Sequence, residues 1–114
     1  MKEAQLGDAK IISVTDACTA VEYPLEDKDI NAVVIKIDGR YPNEGRTVNE
    51  KCKELVYVMS GKGKLVVEGK EVDLKTGTVV LIEPGERFYW EGKELEMFMP
   101  CTPAWYSEQH KEVD

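Results

Sequence analysis

The sequence predicts an all-β fold, an antiparallel β-barrel or jelly roll, on three observations. Short runs rich in β-branched residues recur from Ile11 onward, glycine-centred turns separate them, and the 3.6-residue periodicity of an amphipathic helix is nearly absent. Eight such runs in 114 residues are too many for an open sheet with helices on it and about right for a small barrel.

The runs cover residues 11–14, 31–37, 54–59, 64–68, 71–74, 78–82, 87–90 and 95–99. Between them lie Asp38-Gly39, Ser60-Gly61-Lys62-Gly63, Glu68-Gly69-Lys70, Thr76-Gly77, Pro84-Gly85 and Glu91-Gly92-Lys93, where glycine supplies the positive φ of tight turns. Residues 17–29, with Pro24 and the charged run Glu26-Asp27-Lys28-Asp29, read as an irregular surface loop. Thr102-Pro103-Ala104-Trp105 predicts a helical turn with Thr102 as N-cap and Pro103 at the first position. The last four residues are expected to fray. A chain of this size is one domain, 1–114, with its core at about 32–100, an N-terminal strand and loop at 1–31 and a C-terminal tail at 101–114.

Alternation assigns the faces. Leu65, Val67, Val72 and Leu74 alternate with Lys64, Glu68, Glu71 and Asp73, giving one wet face. Residues 32–35, 55–59 and 79–82 are apolar on both faces, so part of the outer surface needs a cover, and a second copy of the chain is the expected one: a homodimer. Net charge is −7, from 15 basic and 22 acidic side chains, which disfavours nucleic acid and anionic membrane surfaces as partners. No apolar run approaches a membrane span and no signal-peptide core follows Met1, so a cytoplasmic location is expected. Cys18, Cys52 and Cys101 are odd in number, with no Cys-x-x-Cys, and read as small reduced thiols.

Two spacings carry a resemblance. Glu54 is followed after six residues by Gly61; fifteen residues later Gly77 opens a second pattern, reaching Glu83, Pro84, Gly85 and then Phe88. In this order, on either side of a polar hairpin, they resemble the two motifs of the cupin family over residues 32–100. The resemblance implies a β-barrel with a site in its mouth. Cupin metal sites take two histidines as His-x-His, a glutamate and a third histidine, and those positions here hold Thr47 and Asn49 (Val48 and Glu50 in the shorter register), Glu54 and Phe88. Only the glutamate is kept. Neutral amide and hydroxyl side chains are poor donors for a first-row metal, so no metal and no other cofactor is expected.

The barrel position is expected to persist as a pocket lined by Thr47, Asn49, Glu54, Phe88 and Trp90, an aromatic enclosure with a few polar groups. Arg46, with Arg40 and Arg87, flanks the motifs and is expected at the mouth, where a guanidinium would meet an anionic group of a ligand or pair with Glu44 and Glu50. Glu54 is the candidate catalytic residue, with Tyr41, Tyr57 or Tyr89 as partner. His110, the single histidine, reads as a tail residue, useful only if the C-terminus folds over the mouth. The expected function is binding of a small polar metabolite, such as a sugar derivative, without a metal. The alternative is an enzyme, isomerase- or epimerase-like or an atypical metal-dependent one, acting on a small molecule through Glu54.

Overall fold

In the computed structural model, which describes residues 1–114, the chain curls into one nine-stranded antiparallel sheet, a half-barrel with its core in the concave face. β1 (Lys10–Thr15) and β2 (Cys18–Glu22) form a hairpin, and β2 pairs with β3 (Asn31–Tyr41). β3 runs along β8 (Arg87–Thr102), which also pairs with β5 (Lys53–Val67). Onto β5 are added β6 (Lys70–Lys75) and β7 (Val79–Ile82). β4 (Arg46–Asn49) pairs with β8 through Thr47↔Phe88 and with the edge strand β9 (His110–Val113).

The sheet curls because its two longest strands bend without breaking. β5 and β8 each merge two expected runs: the ladder between them shifts register around Ser60 and continues through Gly63↔Gly92. Bulges of this kind increase local twist and turn a barrel's corner. The glycine-rich 60–63 and 91–93 segments are therefore bends inside strands, not hairpin turns.

Three other expectations are corrected. Residues 18–22 form β2 inside the expected loop; their small side chains Cys18 and Ala20 are a weak strand signal but pack inward, 2% and 6% exposed. β8 runs on through Thr102, paired with Lys53, which removes that threonine from any helix cap; the short 3₁₀ turn forms instead at Ser107–Gln109. The C-terminus is strand β9 as far as Val113, since His110 to Val113 pair residue for residue with Asn49 to Arg46. Polar His-Lys-Glu-Val has little strand propensity of its own, and pairing with β4 supplies what the sequence lacks.

Inward-facing Val56, Val58, Leu65, Leu95, Met97 and Ile37 are essentially sealed from solvent. Phe88 and Trp90 close the interior with rings edge-to-face at 6.0 Å. On the convex face, Leu55, Tyr57 and Met59 of β5, Val79 and Leu81 of β7 and Phe98 of β8 are all exposed, and Tyr57 faces both Val79 and Phe98 across the ladders. The doubly apolar runs thus split between a packed interior and a continuous apolar exterior.

Candidate functional site

The site grows from strand parity. Thr47 and Asn49 alternate with Arg46 and Val48, so the first pair faces inward and the second outward. Thr47, Asn49, Glu54, Phe88 and Trp90 are all buried, at 0, 1, 7, 2 and 2% exposure. Asn49 and Glu54 meet directly, Asn49 Nδ2 donating to Glu54 Oε1 at 2.5 Å. Glu54 sits at the start of β5 opposite Ile82 on one side and Cys101 on the other.

Arg46 does not join them. Its guanidinium lies on the outer face over the Tyr89 ring, 5.4 Å from the centroid, and donates to the carbonyls of Glu68 and Arg87. Arg40 lies over the same ring at 4.1 Å and donates to the carbonyls of Pro42 and Gly45. These arginines fasten the loop between β3 and β4 to the sheet. Among the three tyrosines, Tyr57 is on the convex face and Tyr89 lies under the arginines. Tyr41 is half-buried against the core, and its phenol, with Cys18, Glu112 and Glu54 as charge neighbours, is pushed up to about 12 by burial.

Gln109, which sequence reasoning missed, and His110, which it read as a tail residue unless the C-terminus folds over the mouth, complete the arrangement. The 50–52 turn between β4 and β5 is filled by Gln109: Glu50 N–H donates to its backbone carbonyl, and Lys51 and Cys52 N–H donate to its Oε1 at 3.2 and 3.1 Å. Gln109 Nε2 and His110 Nδ1 both reach Asn49 Oδ1 at 2.9 Å. Trp105 leans on the His110 ring at 5.5 Å between centroids. Nothing in a Gln-His pair near a C-terminus announces this; the signal is the pairing of β9 with β4, which is tertiary.

The electrostatics follow from burial. Loss of water raises the Glu54 carboxyl to about 7, against the opposing bond from Asn49, so the group exchanges protons near neutral pH. Burial lowers His110, which is therefore neutral at pH 7, although nearby Glu112 works the other way. The thiols are protonated: burial pushes Cys18 up to about 12 and raises Cys52 and Cys101, both of which also feel Glu54. One polar side-chain atom in the whole chain is buried with no partner, Thr47 Oγ1. An open depression lined by Asp16, Lys36, Asp38, Glu94 and Glu96 touches none of these residues.

A transition metal does not fit this donor set. Of the four family ligand positions, Phe88 offers no lone pair, Thr47 a neutral hydroxyl, and Asn49 an amide whose two ends are already engaged by Glu54, Gln109 and His110. No group of three or more histidine, cysteine, aspartate or glutamate side chains is placed so that it could hold a metal ion. What remains is a proton-exchanging carboxyl beside hydrogen-bonding groups, under an aromatic floor.

Comparison with known proteins agrees with the architecture. A family model described as Cupin domain matches residues 35–99. No curated protein matches the chain. Among solved structures, the Streptomyces nucleoside dehydratase Pac13 is similar with a TM-score of 0.87 and 16% identity, covering 99% of this chain and 91% of that one. Variants of that protein have been solved with uridine. Ectoine synthase from P. lautus is similar at TM-score 0.73 and 15% identity over 100% and 91% of the two chains. The polyketide cyclase RemF from Streptomyces resistomycificus gives 0.76 and 16% over 100% and 86%.

Proposed function

We propose, since the chain belongs to the Cupin domain family, that it binds a small, uncharged, hydroxyl-bearing metabolite in the mouth of the half-barrel without a metal. The observation that carries this reading is the buried Thr47 hydroxyl, left without a partner beside Asn49 and Glu54. An orphaned buried hydroxyl forfeits about 1–3 kcal/mol; sealed in the unliganded chain, it would recover this from a ligand oxygen once the side chains around it part to admit one. The ligand is uncharged because the site's ionisable groups are Glu54, Tyr41, Glu112 and a His110 held neutral at pH 7 by burial, while Arg40 and Arg46 are committed on the outer face. A phosphate or carboxylate would meet negative charge with no cation to balance it. The similar folds of a nucleoside dehydratase, an ectoine synthase and a polyketide cyclase support small-molecule work in general, and the first of them, whose variants were solved with uridine, a nucleoside or sugar derivative in particular.

The test is Trp fluorescence titration with uridine, ribose and glucose against their phosphate esters, on protein purified without added metal and analysed for its elements. A saturable response to an uncharged member is expected, with its phosphate ester at least about tenfold weaker, or 1.4 kcal/mol. Iron, manganese, nickel, copper and zinc should together amount to well under half an equivalent. Tighter binding of the esters, or stoichiometric metal, would overturn the reading.

A second reading, turnover by acid–base chemistry, is favoured by the Glu54 carboxyl poised at about 7, a charge that the half-buried Tyr41 phenol also feels. Glu54→Gln would then abolish turnover of whichever compound binds and leave its binding measurable.

The apolar convex face is proposed to meet a second copy of the chain, which would bury Leu55, Tyr57, Met59, Leu81 and Phe98. Sedimentation at micromolar concentration is expected to give twice 12.9 kDa. A monomer at that concentration would refute the dimer.

A further inference from the structure

The hydrogen bonds around Asn49 have an order of priority. Backbone N–H groups are donors without alternative, and two of them, from Lys51 and Cys52, point at one atom of the Gln109 side chain. That atom must be the carbonyl Oε1. The other end of the carboxamide is then NH₂, and the Asn49 atom it meets must be an acceptor, Oδ1. Asn49 is thereby oriented too, with its own NH₂ turned to the Glu54 carboxyl, which in its ionised form only accepts. His110 Nδ1 lies 2.9 Å from the same Oδ1, a purely accepting oxygen, so a hydrogen bond there requires the proton on Nδ1. The assignment runs from two main-chain amides through Gln109 and Asn49 to the imidazole, and no link in it is free to reverse alone.

A neutral imidazole with its proton on Nδ1 carries a bare lone pair on Nε2, on the side of the ring turned away from Asn49. Nε2 takes no hydrogen bond from the protein and is not among the buried unpaired atoms, so it is reachable from outside. Glu54 Oε2 is in the same position: no protein donor reaches it, and it is not sealed. These make two unsealed groups able to accept a hydrogen bond, on β5 and β9, joined through the two ends of Asn49; Thr47 Oγ1, on the same face of β4 as Asn49, is itself sealed, and Glu112 sits opposite Thr47 across the β4–β9 ladder.

We propose that His110 is a ligand-binding residue, locked by Gln109 and Asn49 in the Nδ1–H tautomer, whose Nε2 accepts a hydrogen bond from a ligand hydroxyl, so that the site selects ligands with adjacent hydroxyl donors, a vicinal diol such as that of a ribose. This rests on the reading of the barrel as a site for an uncharged metabolite and adds to it which groups face the ligand and which ligand groups they take. It also gives the C-terminal strand a function, since β9 delivers the imidazole.

His110 is the chain's single histidine, so imidazole ¹⁵N signals report on it without ambiguity. In the full chain at pH 7.5, Nδ1 should carry the proton and Nε2 be bare, the reverse of the preference of a free histidine side chain. Adding uridine should shift the Nε2 signal, and 2′,3′-dideoxyuridine should bind at least about tenfold more weakly. Gln109→Glu replaces the amide donor with an acceptor, which lets Asn49 turn round, and should move the histidine proton to Nε2. An Nε2–H tautomer in the unmodified chain overturns the proposal, and that measurement needs no variant to fold. Uridine binding, seen by Trp fluorescence, that leaves Nε2 undisturbed or tolerates loss of the diol overturns it equally. No fluorescence response to any compound sinks instead the reading of the barrel on which the proposal rests, and the tautomer measurement tells the two failures apart.

Discussion

Gly61→Ala is expected to remove about 3–5 kcal/mol of folding stability, the combined scale of backbone strain and a hard steric overlap, and so a large part of what holds a domain of this size together. Gly61 sits where β5 bends, with φ +80°. A Cβ added there would overlap the Glu94 carbonyl oxygen and lie 2.7 Å from Leu95 Cα, both backbone atoms of β8 that cannot move without parting the ladder. Two effects are present, left-handed backbone and contact, and neighbouring glycines separate them. Gly77 and Gly85 have φ +91° and +85° but nothing within 4 Å of an added Cβ, so alanine there meets only the conformational penalty, about 1 kcal/mol. Gly69 has neither constraint, and alanine there should be nearly neutral. Urea denaturation of the four variants should rank Gly61 far ahead, with Gly77 and Gly85 small and Gly69 smallest. Equal losses at Gly61 and Gly77 would mean that backbone conformation, and not the approach of β8, makes glycine necessary at the bend.

The same glycines show what the sequence can and cannot disclose. Gly61, Gly77 and Gly85 mark the family's spacing, and with strand parity they place Thr47, Asn49, Glu54, Phe88 and Trp90 on one buried face. Parity is local, so it reads directly from the chain. Whether a glycine is a turn or a bend is not local: Ser60-Gly61-Lys62-Gly63 looks like a hairpin until β8 is laid alongside it. Arg46 departs from expectation for a similar reason. Its closeness in sequence to Thr47 suggests the mouth, but alternate residues of a strand face opposite ways, and Tyr89 with two carbonyls holds it outside. Gln109 carries no signal, and His110 stands out only as the single histidine, with its place left open, because a polar four-residue strand is recognisable only through its partner. The half of the candidate site built on β4, β5 and β8 is therefore legible in the sequence, and the half that β9 would deliver is not.

Glu54→Gln is expected to make the folded chain more stable at alkaline pH, by about 3 kcal/mol, and to change little near pH 4. Burial raises the carboxyl from 4.5 to about 7 in the folded chain, while in the unfolded chain it titrates at its ordinary value. Between those limits the folded state holds a proton that the unfolded state has released, so stability falls as pH rises through the window from about 4.5 to about 7. Above it the full penalty of a buried carboxylate is present; below it both states are protonated and the penalty vanishes. Glutamine keeps the shape and still accepts from Asn49 Nδ2, but has no charge to bury. His110 works in the opposite direction, since its lowered pKa costs stability as pH falls below 6.5, and comparing the two proteins at the same pH cancels that contribution because both carry it. Urea midpoints with an unchanged m-value should coincide near pH 4 and separate progressively to pH 8, the variant unfolding later. A gap that fails to grow with pH, or a variant less stable than the parent at pH 8, would mean that the Glu54 carboxylate is stabilised where it sits, and would remove the reason for treating it as the site's proton-exchanging group.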